Sequence, residues 1–504
     1  MNTTTVRTRS VLVLALLVFA LFAASSAVAC VVGTGTSASC TEAALDACLP
    51  GGGGFDGTVT FACGGSATIT ATTPKTINAD TTIDGGGGGG TITISGGGPA
   101  GLFFAIAPFT VKNLDIGGNG GDGAIVQSPN FPAPLTVTNS VLFNNIIAID
   151  NFGTVTVTNS TFSQNTVGIS TNSATVIVDD GNFFRNGTGI NSGGTVTVTN
   201  STFGGNSGAS GSGGDGAAIN SSGSLTVANS TFSGNTATNN GGAIFASGAT
   251  TVSDSTFFGN TTGTSGAGGA IDVVGSGSLD VINCTLSGNG AHAGAAIANN
   301  ASGPVTVVNS ILANPSISLS LPGGNCSGTI TDDGHNIDDG TTCGFTGTGC
   351  AATTGTSFCS TNPQLGPLQD NGGPTQTIAL EAGSPAINAG DETICAAPPV
   401  NNLDQRGVVR PGAGATNCSI GAYEFNSARC GDVNGDGVVN IGDALVVAQF
   451  DVGMRQCRVA PFSHPEVCDV NRDGACNIGD ALRMAQCDVG LISCAFTCTP
   501  FICP

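Results

Sequence analysis

One phrase returns through the middle of the chain at an interval near twenty residues, and it narrows the choice of folds more than any other feature. It runs from Leu135 to Asn145, Val155 to Asn165, Val176 to Asn186 and Val196 to Asn206, with further copies closing at Asn235, Asn260 and Asn289. Each copy has apolar residues at alternate positions, then an Asn or Asp, a short polar link, and an aromatic or Leu three residues before a second Asn. The closing Asn residues are 20, 21 and 20 positions apart at first. The intervals then lengthen to 29, 25 and 29 through Gly-rich inserts such as 207–216. A fixed period of this length marks a solenoid. Alternation with period two and no helical spacing makes it a β-solenoid, each turn adding about 4.8 Å. Val155, Val176 and Val196 should pile one over another, with Thr on the alternate positions facing water. Phe162, Phe183, Phe203, Phe232 and Phe257 should form a second column. Asn suits the repeat because it tolerates the left-handed backbone of a corner and because stacked amides can hydrogen-bond along the column.

Composition agrees. Of 504 residues, 80 are Gly, none is Trp and only 9% are charged. Twelve Lys and Arg against 33 Asp and Glu leave a net charge of −21. That excludes the basic footprint of a nucleic-acid binder and suits a surface that takes divalent cations.

The N-terminus reads as an export signal over 1–29. Arg7 and Arg9 precede the apolar run 11–24, and Ala27 and Ala29 form a small-x-small cleavage site. The run is short for a membrane span, and no other apolar stretch approaches spanning length. Cys30 directly after the site also fits a lipoprotein, but Ala27 stands where Leu is usual, so secretion is the reading adopted. The localisation expected is extracellular or cell-surface, where 19 Cys imply disulfides. Four lie before residue 64 and fifteen from Cys284 on, so the regular turns do without crosslinks.

Four parts follow the signal. Residues 30–57 should cap the open end of the solenoid with a short helix over 39–48, where Ser39 and Glu42 have capping-box spacing, pinned by Cys40, Cys48 and Cys63. Residues 58–361 are the solenoid, loosening after Asn314 among Cys326, Cys343, Cys350 and Cys359. Residues 362–425, with closely spaced Pro and Gly, are expected to be its last, tightly turned coils. After a polar boundary at 426–429, residues 430–504 form a separate module with a Cys-rich tail.

The chemistry lies in that module. Asp432, Asn434, Asp436, Asn440 and Asp443 place oxygens at positions 1, 3, 5, 9 and 12 of a loop, with Gly437 at position 6 and the carbonyl of Val438 at position 7. A hard cation wants six to eight oxygens, and the Gly allows the sharp turn of an EF-hand loop. Asp469, Asn471, Asp473, Ala475, Asn477 and Asp480 repeat the set 37 residues on. Two copies in register point to two calcium sites, with metal binding coupled to folding. Position 12 is Asp where EF-hands usually carry Glu, which puts bidentate ligation there in question. Each loop leads into a helix, 444–450 and 481–487. Zinc at Cys494, Cys498 and Cys503 is the rival; the spacing is loose and no His is near, so disulfides are preferred.

Three stretches resemble known families. The Phe-x-x-Asn copies, with Gly-Gly-Ala-Ile at 241–244 and 268–271, resemble the repeats of polymorphic outer-membrane proteins and other bacterial right-handed parallel β-helix proteins. Residues 362–425 resemble the choice-of-anchor Q region through Asp370–Thr375, Ser384–Ile387, Asp404–Gly407 and Gly421–Glu424. Residues 430–490 resemble a type I dockerin, a calcium-folded pair of half EF-hands that docks into a cohesin domain. That resemblance implies a cohesin-like partner read by 432–490, with Ile441-Gly442 and Ile478-Gly479 at the positions where dockerins contact it. It also accounts for Asp at position 12.

Many parallel β-helices cleave polysaccharides, but a fold does not give a function. A lyase needs a base, and 58–320 hold only Lys75, Lys112 and Arg185. A hydrolase needs two carboxylates at one sugar bond. Asp179 and Asp180 are the tempting pair, yet Asp180 occupies the slot of Asn159 and Asn200, as Asp254 does later, so a corner column is preferred. His292 reads as a loop residue, and Asp272 and Asp280 as solvated. No catalytic residue is assigned. The preferred function is a binding or adhesive stalk for a polysaccharide or cell-surface ligand, with a carbohydrate-active lyase or hydrolase as the alternative.

Overall fold

In the computed structural model the chain is a parallel β-solenoid of about 12 turns, followed by a small helical module. The structure describes residues 29–498 apart from 88, 97, 99–100, 119–122, 209–213, 315–322, 413–414, 426–429, 435–437, 457–460, 463–466, 495 and 497. The export signal, apart from Ala29, lies outside the described residues, as do Asp436 and Cys503. Among the described residues no helix is long and apolar enough to cross a membrane.

The stacking is in register. Val155 pairs with Val176, and Val176 with Val196, in parallel strands. A second wall stacks Ile149, Ile169, Ile190, Ile219 and Ile244 in the same way. All of these side chains are fully buried, and burying each contributes about 1.5–3 kcal/mol. The Phe column is formed: Phe162, Phe183, Phe203, Phe232 and Phe257 lie ring on ring, with centroids 4.6–4.9 Å apart and planes within 5°. The centroid spacing equals the rise between hydrogen-bonded strands, so one ring fits each turn.

The two reasons for Asn fall on different columns. Left-handed backbone belongs to the first, half-exposed column, where Asn139, Asn159, Asp180, Asn200 and Asn229 have φ between 45° and 55°. The amide ladder belongs to the second, buried column. Asn165 Nδ2 donates to Asn186 Oδ1 at 3.0 Å and to the Leu142 carbonyl at 2.9 Å. Asn186 Nδ2 does the same with Asn206 and Phe162. The ladder continues through Asn235, Asn260, Asn289 and Asn314 to Asn325. Each Oδ1 also accepts the backbone amide of the preceding Asn, so both ends of the buried side-chain amide are satisfied.

The N-terminal cap is a helix, α1 (Glu42–Cys48), held by disulfides Cys30–Cys48 and Cys40–Cys63. Its capping residue is Thr41 and not Ser39: the Thr41 side chain accepts from the Ala44 amide, and Ser39 closes a preceding turn. Glu42 is released to bind the buried Lys75 at 2.6 Å, with Asp46 on the same ammonium. The loosened region is stapled by Cys326–Cys343 and Cys350–Cys359.

Residues 362–425 are not further coils. Their strands, Leu365–Gln369 and Thr377–Leu380, form an antiparallel pair outside the solenoid sheets. The segment carries a short helix, α2 (Glu392–Ala396), and the disulfide Cys395–Cys418. It folds back along the first Asn column. Thr375 donates to the Asn229 carbonyl, Gln405 Nε2 to Thr231, and the Gly421 amide to the Asn309 carbonyl. Arg410, fully buried, meets Asp254 at 3.2 Å. The Pro and Gly turns that suggest tight coils instead bend a clasp onto the flank of the rod.

Candidate functional site

The C-terminal module is built on two helices, α3 (Ile441–Asp451) and α4 (Ile478–Asp488). Each begins with a full capping box. Asn440 accepts from the Gly442 amide while Asp443 accepts from the Asn440 amide, and Asn477 and Asp480 repeat this. The two halves also cap each other. The Ile441 amide donates to Asp488 and the Ile478 amide to Asp451, both at 3.2 Å. Disulfides Cys430–Cys498, Cys468–Cys476 and Cys487–Cys494 crosslink the module, so Cys494 and Cys498 are not zinc ligands.

The second loop brings Asp469, Asp473 and Asp480 together, with one oxygen of each within 4.8 Å of the others. Oxygens at that spacing fit an ion at 2.3–2.6 Å from each. Asp469 and Asp480 are buried while Asp473 faces out. Backbone amides hold the carboxylates in place. Asp480 accepts from Asn471 and Asn477, and Asp469 from Asp473 and Gly474. Burial raises the Asp480 proton affinity, and the neighbouring Asp469 and Asp473 raise it further. The amide of Ala475, with the Asn471 and Asn477 side chains, lowers that of Asp473. The arrangement concentrates negative charge on one point, the chemistry of a hard-cation site.

Asn477 differs from the sequence expectation. Its Oδ1 is taken by the Gly479 amide at 2.7 Å, so it serves the helix first. Asn471 spans Asp473, accepting from its amide and donating to its carboxylate. In the first loop Asp432 and Asp443 are buried, and Asp443 accepts from Asn434 and Asn440. Val438 is exposed, and its carbonyl accepts weakly from Asn440 at 3.4 Å.

Beside the loops, α3 and α4 leave an apolar groove of about 550 Å³ lined by Ile441, Leu445, Ala448, Ile478, Leu482 and Ala485. Ile441, Leu445, Ile478 and Leu482 are each more than half exposed. The repeat of Ile at position 10 in both loops is legible in sequence; the exposure of the two Leu residues is not.

On the rod, Asp180 has φ 55°, the corner conformation of Asn159 and Asn200. Asp179 accepts from Thr199 and Asn200. Both line a cleft of about 520 Å³ with Arg406, Arg472 and Phe496. Asp272 is buried and not solvated, bonded through one oxygen to Asn300. Asp280 accepts from Thr306, and His292 is exposed.

Comparison with protein families finds a right-handed β-helix region over residues 181–339 and a dockerin type I domain over 430–487. No curated protein matches the chain, and no solved structure does.

Proposed function

We propose that this is an exported β-helix protein whose rod acts as a binding or adhesive stalk and whose dockerin domain attaches it, with two calcium ions bound, to a cohesin-like partner. The observation that carries this reading is the convergence of Asp469, Asp473 and Asp480, repeated in sequence by Asp432, Asp436 and Asp443. Carbonyls of Val438 and Ala475 complete each set, with Asn434 and Asn471. Asn440 and Asn477 reach the ion through water, as position 9 often does. The partner would seat on the apolar groove, where each half presents one Ile and one Leu. The disulfide from Cys30 to Cys48 supports secretion without a lipid on that sulfur. Eight bridges among the described residues fit an oxidising compartment. Binding of the purified chain to a panel of immobilised type I cohesins, with calcium and then with chelator, tests it. Calcium-dependent capture by at least one cohesin, lost in the Ile441→Asp/Ile478→Asp variant, is expected; capture that ignores chelator contradicts it.

A second reading rests on the cleft at Asp179 and Asp180, which could serve a carbohydrate-active enzyme. Release of reducing or unsaturated ends from pectin, alginate or neutral glycans, abolished in Asp179→Asn/Asp180→Asn, would favour it over the stalk.

A further inference from the structure

The two halves of the C-terminal module are near-copies, but they close their loops differently. Position 0, just before the first ligand, is Gly431 in the first loop and Cys468 in the second. Position 8, just before the helix cap, is Val439 and Cys476. Cys468 and Cys476 are joined by a disulfide across eight residues, with Cα atoms 5.5 Å apart. At the same places in the first loop a Cβ on Gly431 would lie 2.9 Å from Val439 Cγ1, so a close contact stands where the second loop has its covalent bridge. Asp469 and Asp473 sit inside the bridged ring, and Asn477, whose amide holds Asp480, follows it directly.

We infer that this disulfide sets the affinity of the second calcium site. The chain carries one covalently closed, tight site and one weaker site without a bridge between its matching positions, and reduction erases the difference. The inference rests on the calcium reading of both loops. A ring of this size removes much of the conformational freedom that an open loop loses when it gathers its carboxylates. Ligands held in place before the ion arrives bind it more tightly. Reduction to two thiols needs two electrons and two protons from an external dithiol; reoxidation returns them.

The test copies the first loop into the second. Cys468→Gly/Cys476→Val reproduces the Gly431 and Val439 pair, which folds in its own half. Calcium titration is followed by calorimetry on the full chain in an Asp443→Ala background, which removes the first site. The second site of the bridged protein is expected to bind at least about tenfold more tightly than that of the Gly/Val form. Rapid mixing of the calcium-loaded, otherwise unaltered chain with chelator should show two release phases, and the Gly/Val form should lose the slow one. Equal affinities in the bridged and Gly/Val forms, or a single release phase in both, overturn the inference while leaving the calcium sites standing. No calcium uptake by the bridged protein overturns the calcium reading itself.

Discussion

The carboxylate of Asp488, at the end of one helix, accepts a hydrogen bond from the amide of Ile441, at the start of the other, and Asp451 and Ile478 repeat the bond in the opposite sense. An acid in the last turn of its own helix opposes that helix's dipole, whereas at its neighbour's N-terminus it is favourable. The exchange fixes the antiparallel pair, and with it the spacing of Ile441 and Ile478 on the groove. Asp451→Ala and Asp488→Ala should each cost about 1 kcal/mol of module stability, and the loss should appear in calcium-loaded thermal unfolding. Cohesin capture should weaken in the double variant although no groove residue has changed.

The buried Asn ladder needs a donor and an acceptor on every rung. Asn206→Asp keeps the shape but removes the donors to Asn235 and to the Phe183 carbonyl. It should destabilise the rod by about 1–3 kcal/mol, and by more when the acid is charged. Denaturant unfolding of the variant should therefore improve as pH falls.

The Phe column tests packing without polarity. Phe203 has stacked rings on both sides, 4.6 and 4.9 Å away. Phe203→Ala should cost about 3–5 kcal/mol. Phe203→Leu, which sets Leu where Leu286 already ends the column, should cost less.

Asp272 gives a pH dependence of opposite sense to that of a surface acid. Burial raises its carboxyl to about 7, against the opposing bond from Asn300. The folded form therefore holds the proton more tightly than the unfolded chain. That stability is full below the ordinary carboxylate range and is lost as pH rises through about 7. Asp272→Asn should be more stable than the unaltered protein by about 1 kcal/mol or more at alkaline pH, and no more stable in acid. Melting curves across pH would show the two proteins diverging between the ordinary carboxylate range and about pH 7 and keeping a constant gap above it.

Much of the rod was legible because its causes are local and repeated. Alternating Val and Thr gave the walls, and the Phe spacing gave the ring column. The clasp at 362–425 was not legible as a clasp. Its attachment depends on pairings far apart in the chain, such as Gln405 with Thr231, 174 residues away, and Pro and Gly turns suit coils and clasps alike. Asp254 is a local trace of it: an acid in an Asn column that meets a buried arginine, Arg410. Arg410→Met should strand the buried Asp254 without its counter-charge, costing about 3–5 kcal/mol. Proteolysis should then cut the clasp before the rod. In the loops, the spacing of the oxygen-bearing residues was readable, but the use of Asn477 as a helix cap required the fold.

The proposal of a module held by two calcium ions is tested most directly by the number of ions that the full chain holds. Native mass spectrometry of protein stripped of metal and returned to calcium should show two ions per chain. One should remain in Asp480→Ala and one in Asp443→Ala. A chain that takes up no calcium, or keeps both ions in either variant, would contradict it.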